Sequence, residues 1–148
     1  MKKYYFLILY IVVSGCSVNP VTGKQDFVMI SENQEIAMGK RYHTQILQQT
    51  PPYQDDELQA YVQKIGDSLS AKSHRPNLFY RFTVLDSPDI NAFALPGGFI
   101  YLTRGLIYLC QNEAQLAGVI AHEIGHVTSK HTAKRYTQAF GTNLLMNL

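Results

Sequence analysis

The residues best placed to do chemistry are His122-Glu123-Ile124-Gly125-His126. On a helix, imidazoles four residues apart stand one above the other, the spacing at which both reach one tetrahedral zinc ion, while the carboxylate beside the first stays off the metal. Zinc lowers the pKa of its bound water toward about 7, and Glu123 is placed to take the proton as that water attacks a carbonyl carbon. His122 and His126 are therefore the candidate zinc ligands, with one ion per chain, and Glu123 is the candidate general base. Glu123 on a helix surface with two structural histidines and no metal is the bland alternative.

A helix must carry these groups. Asn112, with Gln115 three residues on, caps a helix predicted from about Glu113 to the region of Tyr136. At 100° per residue, Leu116, Ile120, Ile124 and Val127 fall within about 80° of one another and form a stripe to be buried. The two histidines centre roughly 140° from the middle of that stripe, so the aliphatics face a core and the imidazoles a cleft. His131 lies nine residues after His122, about 180° away if the helix runs straight, and points away from the ion. Metzincins supply a third His, but they need Gly at the position of Ser129 and His at that of Thr132. Glu113 sits about 13.5 Å before His122 along the axis, too far to share the ion. Asp86 and Asp89 are only a guess, so the third ligand is not visible in these residues. His43 and His74 lie in polar contexts without a metal-ligand pattern.

The remaining elements give a helical domain with a small sheet, an α+β class. Ser31 and Gln34 form a capping box for a helix to about Gln49, and Thr50-Pro51-Pro52 stops it. Asp55-Asp56 opens a second helix in which Leu58, Tyr61, Val62, Ile65 and Leu69 recur at helical spacing as core packing. Phe79 to Leu85 alternates as a strand. Phe93-Ala94-Leu95, the turn Pro96-Gly97-Gly98 and Phe99 to Thr103 read as two extended pieces around a turn, so the expected sheet is antiparallel.

The N-terminus, Met1-Lys2-Lys3 followed by apolar Tyr4 to Val13, offers about ten apolar residues where a membrane span needs roughly 20; it reads as the h-region of a secretory signal. Val13-Ser14-Gly15-Cys16 resembles a lipobox, in which Cys16 becomes the acylated N-terminus, and Ser17 behind it resembles the pattern that lets a lipoprotein proceed to the outer membrane. Of 13 basic and 11 acidic residues, Lys2 and Lys3 would leave with the signal, so the mature balance is 11 minus 11, or zero. No basic run makes a nucleic-acid footprint. With Cys16 lipidated, Cys110 has no partner for a disulfide and reads as a buried, inert thiol in an apolar stretch.

Asn91 to Gly98, Ile100 to Leu106 and Asn112 to Val127, together with Asn19-Pro20-Val21-Thr22-Gly23-Lys24 and Glu35-Ile36-Ala37-Met38-Gly39, resemble the HtpX-type zinc metallopeptidases, and among them the BepA-like bacterial lipoproteins. The resemblance covers nearly all of the mature chain. It implies a gluzincin fold, zinc on His122 and His126, Glu123 as general base, and an edge strand around Ala92, Phe93, Ala94 and Leu95 along which substrate backbone lies. It also implies a lipid-anchored endopeptidase on the periplasmic side of the cell envelope, acting on unfolded or misassembled envelope proteins. In that family the third ligand is a Glu on a later helix, so the chain is expected to be an N-terminal fragment. The expected organisation is a signal at 1–15, a lipidated Cys and tether at 16–30, and the N-terminal part of the metallopeptidase domain at 31–148. The alternative from another class is a lipid-anchored chaperone or binding module with an incomplete or vestigial metal site.

Overall fold

The computed structural model describes residues 31–130 and, before them, the backbone of two short strands. These are β1 (Cys16–Val18) and β2 (Gln25–Phe27), which pair antiparallel within the stretch read as a tether. Residues 1–15, read as a signal, the rest of the stretch read as a tether, His131 and the C-terminal stretch lie outside the described residues. Among the described residues, no helix is long and apolar enough to cross a membrane.

The first helix, α1 (Glu32–Gln49), starts at the expected capping box: the Ser31 hydroxyl accepts from the Gln34 N–H, and the Gln34 side chain accepts from the Ser31 N–H. The second, α2 (Asp56–Ser70), starts at Asp55, whose carboxylate accepts from the Leu58 N–H at 2.9 Å. Three strands follow, β3 (Arg81–Leu85), β4 (Ala92–Leu95) and β5 (Phe99–Thr103), the last two joined by a 3-10 turn over Pro96–Gly98. A short helix α3 (Arg104–Leu109) leads into α4 (Glu113–Thr128), capped by Asn112 as expected.

The strand order is β3-β5-β4, with β3 parallel and β4 antiparallel to β5, so the sheet is mixed and the expectation of an antiparallel one is corrected. The reason lies in β5. All five of its residues are buried, and a strand apolar on both faces belongs in the centre of a sheet. The chain therefore leaves β3, passes the place beside it, and returns as β4 before β5 fills the gap.

Helices cover both faces. On one, Phe82, Val84, Ile100 and Leu102 meet Val62 of α2 and the stripe Leu116, Ile120, Ile124 and Val127 of α4, all buried as predicted. Tyr61 departs from the predicted α2 stripe: it is exposed, and its hydroxyl donates to Glu113 at 2.7 Å. On the other face, Leu85, Phe99 and Tyr101 pack with Ile46 and Leu47 of α1 and with Phe93 and Leu95. The 3-10 turn is pressed against α1. Gly97 and Gly98 take φ of +76° and +91°, open to glycine without strain, and a Cβ on Gly39 would collide with the Pro96 carbonyl.

Candidate metal centre

The helix α4 ends sooner than its sequence suggests. Ser129 caps it, with its N–H on the Gly125 carbonyl at 3.0 Å, and Lys130 turns into the left-handed region at φ +52°. The predicted extension toward Tyr136 is thus corrected, and a straight-helix rotation no longer locates His131. The part that carries the motif is unaffected.

On that part, donor atoms of His122, Glu123 and His126 all lie within 4.8 Å of one another, a group that could hold a metal ion. The imidazoles meet edge to face, with ring centroids 4.7 Å apart and planes at 83°. His122 is exposed and His126 half-buried, whereas Glu123 is buried. The buried stripe one step around the helix fixes this: with Ile120, Ile124 and Val127 against the sheet, both imidazoles turn outward and Glu123 lies at the boundary. Two imidazole nitrogens one helical turn apart are donors that zinc accepts readily, so the histidines fit the ion, with the Glu123 carboxylate close enough to reach a water on it. Among the described residues, no further His, Cys, Asp or Glu joins the group. Asp86 is held by Arg104 at 2.6 Å and Asp89 accepts from the Ser87 hydroxyl, so neither sits with the histidines.

The strand expected to receive substrate backbone, Ala92 to Leu95, is at the edge of the sheet and packs against α4. Its side chains alternate: Ala92 and Ala94 face the α4 core, Phe93 and Leu95 face α1. The Thr103 N–H donates to the Asn91 carbonyl at 3.0 Å, which makes 91 and 103 a hydrogen-bonded pair. By the alternation of an antiparallel ladder, Phe93 and Leu95 also bond inward, and the N–H and C=O groups of Ala92 and Ala94 point out of the sheet. Among the described residues, nothing pairs with them.

Three features were not foreseen. Glu35 is buried, at 2% exposure, in a bidentate pair with Arg75, 3.0 and 3.1 Å. Burial disfavours the Arg75 charge, but its hydrogen bonds to Glu35 and Glu32 and their charges outweigh this, so its pKa is raised. His43, read as bland, has Nδ1 at 2.6 Å from the Tyr101 hydroxyl and its ring 5.0 Å from that of Phe99. Burial, then the charge of Arg81, lowers the His43 pKa, and burial pushes Tyr101 up to about 12. Gln59 and Gln63 reach from α2 to the backbone of β3. In sequence these are ordinary polar or aromatic residues, and only Glu35 and Tyr101 fall in stretches that carry the family resemblance. Cys110 is half-buried beside the core, its thiol toward the Leu106 carbonyl.

Known proteins resemble this chain over most of its length. Residues 56–148, more than half of the chain, match the model of peptidase family M48. The chain is 36% identical over 115 residues to the beta-barrel assembly-enhancing protease of Yersinia pestis, covering 78% of this chain and 24% of that protein. It is 36% identical over 105 residues to the protein of the same name from Escherichia coli K12, covering 71% and 22%. Against the mitochondrial metalloendopeptidase OMA1 of Schizosaccharomyces pombe it is 28% identical over 137 residues, covering 89% and 38%. The chain thus spans about a quarter of the length of the bacterial relatives. With this match over more than half of its length, and with a His-Glu-His group on a capped helix, the chain belongs to peptidase family M48.

Proposed function

We propose that this chain is part of a zinc-dependent endopeptidase of the bacterial cell envelope, with a gluzincin-type active site on α4. The observation that carries the reading is the convergence of His122, Glu123 and His126 on one point of a helix that packs against a sheet edge unpaired among the described residues. The names of the bacterial relatives support proteolysis linked to β-barrel assembly, and unfolded or misassembled envelope proteins are the proposed substrates. The lipobox supports anchoring through Cys16, with the domain on the periplasmic face, at the outer membrane.

His122 and His126 would hold the ion, and the family resemblance implies a Glu from elsewhere as third ligand. When bound, zinc activates a water and polarises the scissile carbonyl. The outward N–H and C=O groups of Ala92 and Ala94 take an extended substrate as an added strand, which fixes its direction and depth relative to α4. Glu123 accepts the proton of the attacking water and returns it to the amine nitrogen as the C–N bond breaks. Burial of Glu123 limits its rotamers and keeps the carboxylate beside the histidines.

The test is Glu123→Gln in the full protein. Cleavage of an unfolded envelope protein is expected to fall by about two or more orders of magnitude while zinc stays bound, as removal of a general base requires. Cleavage at the wild-type rate removes the role assigned to Glu123. A wild-type protein that binds substrate equally with and without chelator, and cuts nothing, indicates a binding module instead. Acylation that persists in Cys16→Ala refutes the anchor.

A further inference from the structure

The ion pair between Glu35 and Arg75 joins four stretches of chain that are far apart in sequence. Glu35 is in the first turn of α1, and Arg75 is in the loop between α2 and β3, 9% exposed. The guanidinium grips both oxygens of Glu35 and reaches Glu32 at 2.8 Å. Its Nη1 also donates to the carbonyl of Val127 at 3.3 Å, in the last turn of α4 and next to His126. Glu35 Oε1 in turn accepts from the Gly97 N–H at 3.2 Å, in the turn that ends β4. One buried pair therefore holds the end of the motif helix and the end of the open strand.

Stability alone does not call for such a device. Two buried charges lose their hydration, and apolar side chains of similar volume often hold a core equally well. What a carboxylate and a planar guanidinium add is direction, because the donors of Arg form a rigid fork and each acceptor must lie where the fork points. A Cβ on Gly97 would come within 2.7 Å of the Ile36 Cα, so the turn is already pressed on α1 and its N–H is aimed at Glu35. Val127 is buried, and its carbonyl also accepts from Lys130 at 3.1 Å, which ties the helix terminus to the same point.

We propose that Glu35 and Arg75 are positioning residues of the peptidase site, which set the distance between His122, Glu123 and His126 on α4 and the substrate edge β4. This rests on the function proposed above. A misplacement of about 1 Å between bound substrate and reacting groups can cost on the order of a hundredfold in rate, so the link acts on turnover.

The experiment replaces the pair in the full protein by Glu35→Leu/Arg75→Met, which leaves no lone buried charge. Cobalt takes the place of zinc, its visible absorption reports ligand geometry, and kcat and KM are measured on an unfolded polypeptide. The expected result is a folded variant with kcat reduced about tenfold or more, a smaller change in KM and a shifted cobalt spectrum. A folded variant with wild-type kcat and spectrum overturns the proposal and leaves the pair as a fold element. If the double variant does not fold, Arg75→Lys decides by the same two readouts, since one ammonium cannot reach Glu35, Glu32 and Val127 together. Wild-type protein that takes up no cobalt, or Glu123→Gln that cleaves normally, brings down the peptidase reading and this inference with it. Normal metal uptake and a dead Glu123→Gln beside an unchanged pair variant bring down this inference alone.

Discussion

The two edges of the three-stranded sheet are treated in opposite ways. Along β3, Gln59 acts as a substitute strand: its side-chain oxygen accepts from the Val84 N–H and its nitrogen donates to the Val84 carbonyl, both at 2.9 Å. Gln63 does the same for the Phe82 N–H at 3.0 Å and the Tyr80 carbonyl at 3.3 Å. The Tyr53 N–H adds a bond to the Val84 carbonyl, and Pro52 bridges to Leu85. Along β4, the outward groups of Ala92 and Ala94 have no partner among the described residues. An open edge invites pairing with another chain, and proteins commonly cover it. Here α2 closes the β3 edge, and the β4 edge, which packs against α4, stays uncovered among the described residues. An exception to a protective rule, on the strand that packs against the helix of the candidate metal group, supports the proposed substrate edge.

The largest expected effect comes from closing the open edge. Ala94→Pro removes an outward N–H without touching the inward ladder, a position where a sheet tolerates proline. Loss of a backbone bond to substrate should lower kcat/KM about tenfold, with the circular dichroism of the folded protein unchanged. Unchanged cleavage would mean that β4 is not the substrate edge.

Opening the closed edge should act on stability instead. Gln59→Ala leaves the buried Val84 N–H unpaired and should cost about 1–3 kcal/mol in urea unfolding. Cleavage per folded molecule should hardly change. If activity falls with stability unaltered, the two edges are not functionally distinct. Added to Gln63→Ala, the same change should promote self-association in light scattering, because the β3 edge is then exposed.

The smallest effect concerns how the open strand is held from the α1 side. Phe93 stacks on Tyr101 with centroids 4.9 Å apart, and the Tyr101 hydroxyl meets His43. The pKa of His43 is lowered in the folded state, so the unfolded chain binds the proton more readily. Stability should therefore be complete above the ordinary histidine value of about 6.5 and decline as pH falls below it, until the folded form is protonated too. In His43→Gln, the part of the melting-temperature slope below that pH that belongs to this residue should vanish. An identical slope in both proteins would remove His43 from the account.

The helices were legible because their signals are local. Ser31, Asp55 and Asn112 each bond the backbone three residues on, and such caps depend on nothing remote. The aliphatic stripe of α4 also follows from period alone, so the outward face of His122 and His126 was readable from one segment. The C-terminal limit of α4 was not, because Lys130 has no residue-type signature for a left-handed turn. Nor was the sheet order: a hairpin of β4 and β5 looks the same whether β3 joins beside β4 or beside β5.

By itself the sequence determined the candidate metal group, through the His-Glu-His spacing on a helix, and the N-terminal ends of the main helices, through their caps. Both are short-range consequences of helix geometry and hydrogen bonding. Only the tertiary structure decided which edge of the sheet stays open, that His43 meets Tyr101, and that Arg75 bridges Glu35 to Val127, 40 and 52 residues away in the chain. Those contacts join residues with no local pattern in common, and they form only where burial of the apolar faces has already brought the segments together.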